Sequence, residues 1–174
     1  GIVGYTGFQD AYSVVINGLR RLEYRGYDSA GIVLENRNQN FSTAKTKGKV
    51  DDLVAISEDL KGTASVGMGH TRWATHGIPS DRNSHPHVSN NGKIALVHNG
   101  IIENYDTIKK MLTEKGFTFQ SETDTEVLVN LIQHFMDLDV NLDFPEAVRF
   151  ALNEVYGAYA ITVMHEDFPG LLVV

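Results

Sequence analysis

Ala64-Ser65-Val66-Gly67-Met68 runs directly into Gly69-His70-Thr71-Arg72-Trp73-Ala74-Thr75-His76-Gly77, and the change of character at residue 69 decides how the chain is read. The first five residues have the look of a short strand. The next nine place a guanidinium, an indole, two hydroxyls and two imidazoles between glycines, with no apolar period. Such a run predicts a polar binding loop at the end of a strand rather than a buried face. Its groups suit a small zwitterion: an arginine fork for a carboxylate, hydroxyls and backbone for the rest, and an aromatic lid.

Outward from this loop the chain divides into paired elements. Gly1–Tyr5 is a short apolar run suited to a buried strand. Asp10 is placed to cap a helix over Ala11–Leu22, with Val15, Leu19 and Leu22 on one face. Glu23–Ser29 reads as a polar turn, within which Arg25 and Asp28 are spaced to pair. Ala30–Glu35 and Phe41–Lys47 flank Asn36–Asn40 as a hairpin. Val50, Leu53, Val54 and Ser57 mark a second helix. Beyond the loop and the polar stretch Pro79–His87, Lys93–His98 is a strand ending at Asn99-Gly100. Tyr105, Ile108 and Leu112 mark a helix stopped by Gly116, and Phe117–Gln120 another strand. Thr123-x-x-Glu126 is a capping box opening a helix that carries Val127, Leu128, Leu131, Ile132 and Phe135 on one stripe. Val148, Ala151, Leu152 and Val155 mark one more helix. Ala158–His165 and Leu171–Val174 read as a closing hairpin around 167–170. Strands and helices come in pairs rather than in alternation, which predicts antiparallel sheets layered with helices, an α+β fold. The last strand reaches the final residue, so residues 1–174 are expected to form one domain that continues beyond this chain.

Composition narrows the function. A 174-residue chain that is 42% hydrophobic and 21% charged is one ordinary globular domain with room for a real core. A net charge of −7 disfavours nucleic acid and anionic membranes as partners. The basic stretch Lys45–Lys49 is short and interrupted, as at a solvated strand end. No apolar run approaches the ~20 residues of a membrane helix, and no secretory signal is visible, so a cytoplasmic location is expected. The sequence has no cysteine, which excludes disulfides, thiolate metal sites and a cysteine nucleophile within the 174 residues.

Several groups are fit for chemistry. Asn99-Gly100 after an apolar strand reads as a tight corner, and equally as two donors for an oxyanion; the pair alone favours the corner. Arg72 would give a carboxylate a bidentate contact, or form a surface ion pair. Asp124 lies in the first turn of a capped helix, where an acid is favoured in any case. One cation and one anion together would hold both charged ends of an amino acid. His70, His76, His85 and His87 invite a metal. With no cysteine and no paired carboxylate motif, hydrogen bonding is the expected role, and neither metal nor cofactor is expected.

Gly1-Ile2-Val3-Gly4, Arg20–Gly31, His70–Gly77, Ser84–Ser89, Val97–Asn104 and Ser121–Val127, in this order, resemble the glutaminase domains of the class II glutamine amidotransferases. Among these the likeness is to the glutamine–fructose-6-phosphate aminotransferase family. The phosphoribosyl-pyrophosphate enzymes share the layout but differ in the Arg72–Gly77 loop and after Arg25-Gly26. The resemblance implies a four-layer αββα sandwich of the N-terminal-nucleophile hydrolase type. It implies a nucleophilic cysteine immediately before Gly1, attacking L-glutamine to form a thioester, with its amino group as base. It assigns the oxyanion hole to Asn99 and Gly100, the substrate carboxylate to Arg72 and the substrate ammonium to Asp124. Thr75 and His76 would complete the pocket and Trp73 would close it. The ammonia would pass to a C-terminal sugar-phosphate isomerase domain, converting fructose 6-phosphate to glucosamine 6-phosphate in a full-length homo-oligomer. Without that cysteine the 174 residues are expected to bind glutamine without hydrolysing it. The alternatives are a nucleophile-lacking glutamine-binding or regulatory module, and a glutaminase serving another acceptor such as phosphoribosyl pyrophosphate.

Overall fold

The computed structural model describes residues 1–36, 38–73 and 77–174. In chain order the elements are β1 (Ile2–Thr6), α1 (Ala11–Leu22), β2 (Ser29–Asn36), β3 (Phe41–Lys47), α2 (Val50–Ala55), β4 (Ala64–Arg72), β5 (His87–Val88), β6 (Ile94–Ile102), α3 (Tyr105–Glu114), α4 (Asp124–Leu138), α5 (Phe144–Glu154) and β7 (Gly157–His165). The described strands form two antiparallel sheets, β1-β4-β2-β3 and β5-β6-β7.

The two-residue period of the strands sorts side chains into layers. In β2, Ile32 and Leu34 face α1 and α2, where they meet Val15, Leu19 and Leu53. Val33, between them, faces the other sheet and joins Met68, Ala95, Val97 and Met164. In β6, Ile94 and Leu96 turn the opposite way, toward Ile108 of α3, Leu128 of α4 and Val148 of α5. The result is the expected αββα sandwich, with one apolar seam between the sheets and one beneath each helix layer. No helix among the described residues is long and apolar enough to cross a membrane.

Local signals hold where they rest on capping. The Asp10 carboxylate accepts from the Ser13 N–H at the start of α1; α5 has a cap that the sequence reading did not single out, the Asp143 carboxylate accepting from the Glu146 N–H. Each such cap contributes about 1 kcal/mol. Thr123 caps α4 through Glu126 N–H, but the reciprocal half of the capping box is absent. The Glu126 carboxylate reaches further back, accepting from the N–H groups of Gln120 and Ser121 and the Ser121 hydroxyl.

Other expectations are corrected. The strand expected to end at Met68 continues to Arg72, so Gly69–Arg72 is buried β4 and not loop. Its glycines conceal the period: a Cβ on Gly69 would lie 2.6 Å from Val15 Cγ1 and 2.9 Å from Leu19 Cδ1, so α1 rests directly on the strand. Likewise Asn99-Gly100 is no corner; β6 runs through it, pairing Asn99 with Ala160 and Gly100 with Tyr159. Residues 117–120 form no strand and are tied instead to Asn90, whose carboxamide oxygen accepts from Thr118 N–H. Leu171–Val174 contributes a single bridge, Val163 to Val173, in place of a second hairpin strand. β1 is half-buried to exposed.

Candidate active site

The C-terminal ends of β4 and β6 lie beside the start of β1, and the N-terminus of α4 points at the same place. There Gly1, Arg72, Trp73, Asn99, Gly100 and Asp124 line one pocket of about 270 Å³. The register explains the convergence. Ile2 pairs with His70, and Thr71 N–H donates to the Gly1 carbonyl at 2.9 Å, so the Gly1 nitrogen is delivered to the mouth of the pocket. That amino group donates to the Thr71 carbonyl and, at 3.1 Å, to Thr71 Oγ1. Burial first, and then the charge of Arg25, lower its pKa from 8.0 to about 6.

Arg72 ends β4 with its side chain 5% exposed. Nη2 donates to the Gly77 carbonyl at 3.3 Å, and Nη1 lies 3.9 Å from Asp28 Oδ1. Burial lowers its pKa, a shift opposed by Asp28 and Asp124. The Arg25–Asp28 pairing expected from the sequence is therefore replaced: Asp28 faces Arg72, and Arg25 Nε donates to the Tyr24 hydroxyl at 2.9 Å. Asp124 is buried in the first turn of α4, where Oδ2 accepts from Ile102 N–H at 2.9 Å and Oδ1 lies 3.8 Å from His98 Nδ1. Asn99 and Gly100, by contrast, are solvent-exposed. Gly100 has φ 123°, and a Cβ there would lie 2.2 Å from the Ala158 carbonyl oxygen, so only glycine fits. The exposed Trp73 indole rests against Gly26, where an added Cβ would stand 3.1 Å from Cζ3. Thr75 and His76 lie outside the described residues.

The sequence reading missed what lies beneath these residues. His70, His85, His98 and Thr125 form a buried polar floor. Thr125 Oγ1 bridges His85 Nε2 and His98 Nδ1 at 3.0 Å each. His98 N–H donates to His85 Nδ1 at 3.4 Å. His87 Nε2 meets Thr123 Oγ1 at 3.0 Å. Burial holds His70, His85 and His87 neutral, lowering the pKa of His70 to about 3 and those of the other two well below 6.5. His98 stood in a quoted motif without a role, and no periodicity marks Thr125, whose partners are 27 and 40 residues away. Lys45, expected at a solvated strand end, instead pins this region: its Nζ donates to the carbonyls of Arg82, Ser84 and Pro86.

A profile of the glutamine amidotransferase domain matches residues 57–141. Among solved structures, a phosphoribosylpyrophosphate amidotransferase from B. subtilis superposes with a TM-score of 0.79 at 30% identity, covering 95% of this chain and 35% of its own. The chain carries a glutamine amidotransferase domain with the N-terminal-nucleophile hydrolase fold.

Within that class its sequence matches glutamine–fructose-6-phosphate aminotransferases [isomerizing]. It is 54% identical over 171 residues to that of Bacteroides thetaiotaomicron, covering 97% of this chain and 27% of the relative. It is 50% identical over 167 residues to that of Thermus thermophilus, covering 96% and 27%. It is 47% identical over 174 residues to that of Pyrococcus horikoshii, covering 100% and 29%. The chain thus spans little more than a quarter of the length of these relatives.

Proposed function

We propose that the pocket binds L-glutamine and hydrolyses it to glutamate and ammonia when a cysteine immediately precedes Gly1. The cysteine thiolate attacks the side-chain amide carbon. The carbonyl oxygen takes up negative charge, which Asn99 Nδ2 and the Gly100 N–H stabilise. The C–N bond breaks, ammonia leaves with a proton relayed by the cysteine's own amino group, and water then cleaves the thioester. Arg72 holds the α-carboxylate and Asp124 the α-ammonium. Thr75 and His76 complete the pocket, and Trp73 covers it. Residues 1–174 serve as the glutaminase domain of a longer, homo-oligomeric cytoplasmic enzyme. Its further domain, a sugar-phosphate isomerase, uses the ammonia to turn fructose 6-phosphate into glucosamine 6-phosphate.

The observation that carries this reading is the meeting of one buried cation, one buried anion and an exposed carboxamide in a single small pocket at the start of β1. Identities of 47–54% to fructose-6-phosphate aminotransferases, against 30% to a phosphoribosylpyrophosphate enzyme, favour the sugar-phosphate acceptor. The test is to place a free cysteine before Gly1 and assay ammonia release from glutamine, with an alanine in that position as control. The cysteine form is expected to turn over glutamine and the alanine form only to bind it. A folded cysteine form that binds glutamine but releases no ammonia would overturn the hydrolytic reading. It would favour the second one, a binding or regulatory module.

A further inference from the structure

His70 has no part in the chemistry just described, yet it touches the residue on which that chemistry turns. Its Nε2 lies 2.7 Å from Asn99 Oδ1. The ring is 2% exposed, and Nδ1 is buried without a hydrogen-bond partner among the described residues. These facts choose a tautomer. A proton on Nδ1 would be a buried donor with nothing to receive it, a costly arrangement; a bare lone pair there costs less. The proton therefore sits on Nε2 and is donated to Asn99 Oδ1. With Oδ1 occupied, the Asn99 Nδ2 hydrogens are left to face the pocket.

We infer that His70 is a positioning residue for the oxyanion site, holding the Asn99 carboxamide in the one orientation that presents a donor to the substrate. The inference rests on the reading of Asn99 given above. A carboxamide rotates about a broad, roughly two-fold torsion, and Asn99 stands on an exposed stretch of β6 where packing does not choose between the two ends. Flipped, it would offer Oδ1 to a developing negative oxygen and repel it. His70 removes that freedom because the ring is itself immobile. β4 places it between Ile2 of β1 and Gly31 of β2. Its face packs on His85 with centroids 4.3 Å apart. His85 is tied through Thr125 to the first turn of α4. Support thus runs from the helix that carries Asp124 to the strand that carries Asn99. Burial and the neighbouring positive groups keep the ring neutral, to a pKa of about 3. Protonation therefore does not disturb the contact in the range where glutamine is hydrolysed.

The test uses the full-length polypeptide with its N-terminal cysteine. Steady-state glutaminase kinetics are compared for the unsubstituted enzyme, His70→Leu, His70→Gln, Asn99→Ala and Asn99→Ala/His70→Leu. His70→Leu is expected to lower kcat roughly 10- to 100-fold, less than the full loss of an oxyanion donor, with KM for glutamine changed less than about threefold. His70→Gln, which puts an N–H close to the Nε2 position, is expected to recover most of that loss. In the Asn99→Ala background, His70→Leu is expected to add less than about threefold, because the group it positions is already gone. Melting temperatures confirm that each variant is folded. His70→Leu with unchanged kcat, or a loss of equal size in the Asn99→Ala background, would overturn the inference while leaving the role of Asn99 intact. Asn99→Ala with unchanged turnover would instead remove the oxyanion reading, and the positioning role with it.

Discussion

Asp28 and Arg72 are joined twice: the Asp28 N–H donates to the Arg72 carbonyl at 2.8 Å, and their side chains face each other with Oδ1 and Nη1 3.9 Å apart. The first contact continues the β2–β4 pairing past Ser29, and the second sets an anion beside a guanidinium that the fold has buried. The Asp28 carboxylate is itself held by the Ser29 hydroxyl at 3.0 Å. Asp28→Ala is expected to lower folding stability by about 1–2 kcal/mol, since it leaves a buried charge with less compensation. Urea denaturation checks this; an unchanged midpoint would show that Arg72 does not depend on the pair.

Arg72→Ala and Asp124→Ala are each expected to weaken glutamine binding by about 1.5–3 kcal/mol, roughly 10- to 150-fold in Kd. Asp124→Ala also removes the acceptor for Ile102 N–H, so it should lower stability as well, whereas Arg72→Ala should not do so through that bond. Isothermal calorimetry with a form that cannot turn over glutamine gives the affinities. Unchanged affinity in either variant would take that residue out of the substrate site.

Acid should unfold the protein through its buried histidines. His70, His85 and His87 have native pKa values lowered from 6.5, that of His70 to about 3, in each case chiefly by burial. Below about pH 6.5 the unfolded chain binds protons at these rings and the native state does not. Stability therefore rises with pH through this window and levels off above it, each ring contributing a slope of about 1 kcal/mol per pH unit. Melting temperature is expected to fall steadily from pH 6.5 toward 4. His87→Gln should make the decline shallower, and an equal slope would show that His87 takes up no proton on unfolding.

Gly31 sits where the segment before β5 crosses β2. A Cβ there would lie 2.0 Å from the His85 carbonyl oxygen and 2.8 Å from Lys45 Cβ. Both obstacles are part of the platform beneath the pocket, so neither can yield cheaply. Gly31→Ala is expected to cost roughly 2–4 kcal/mol and to reduce glutamine binding by displacing His85. Thermal denaturation and calorimetry together check it; wild-type values in both would mean that His85 is free to shift.

Much of this architecture was readable in the order of residues. Asp10 and Thr123 begin their helices because a side-chain oxygen satisfies orphan N–H groups locally, which needs no tertiary partner. The pairing of β2 with β3 followed from apolar runs around a polar turn, and the layered α+β class from the grouping of elements. Arg72 and Asp124 were legible as chemical types, a cation and an anion suited to the two charged ends of an amino acid, whereas Asn99-Gly100 by itself read first as a corner and gained a site role only through the family resemblance.

What the tertiary structure alone decided is where polar strands end and what lies under them. Gly69–Arg72 and Asn99-Gly100 read as loop and corner because what holds them in strands is remote in the chain, α1 packed on Gly69 and β7 paired beside Gly100. The His70–Asn99 contact spans 29 residues and the His85–Thr125 contact 40, and no local pattern encodes either. Periodicity reports which face of an element is apolar. It carries no information about which buried polar group will find its partner, since a hydrogen bond across a sandwich is fixed only when the sheets have packed and set its length.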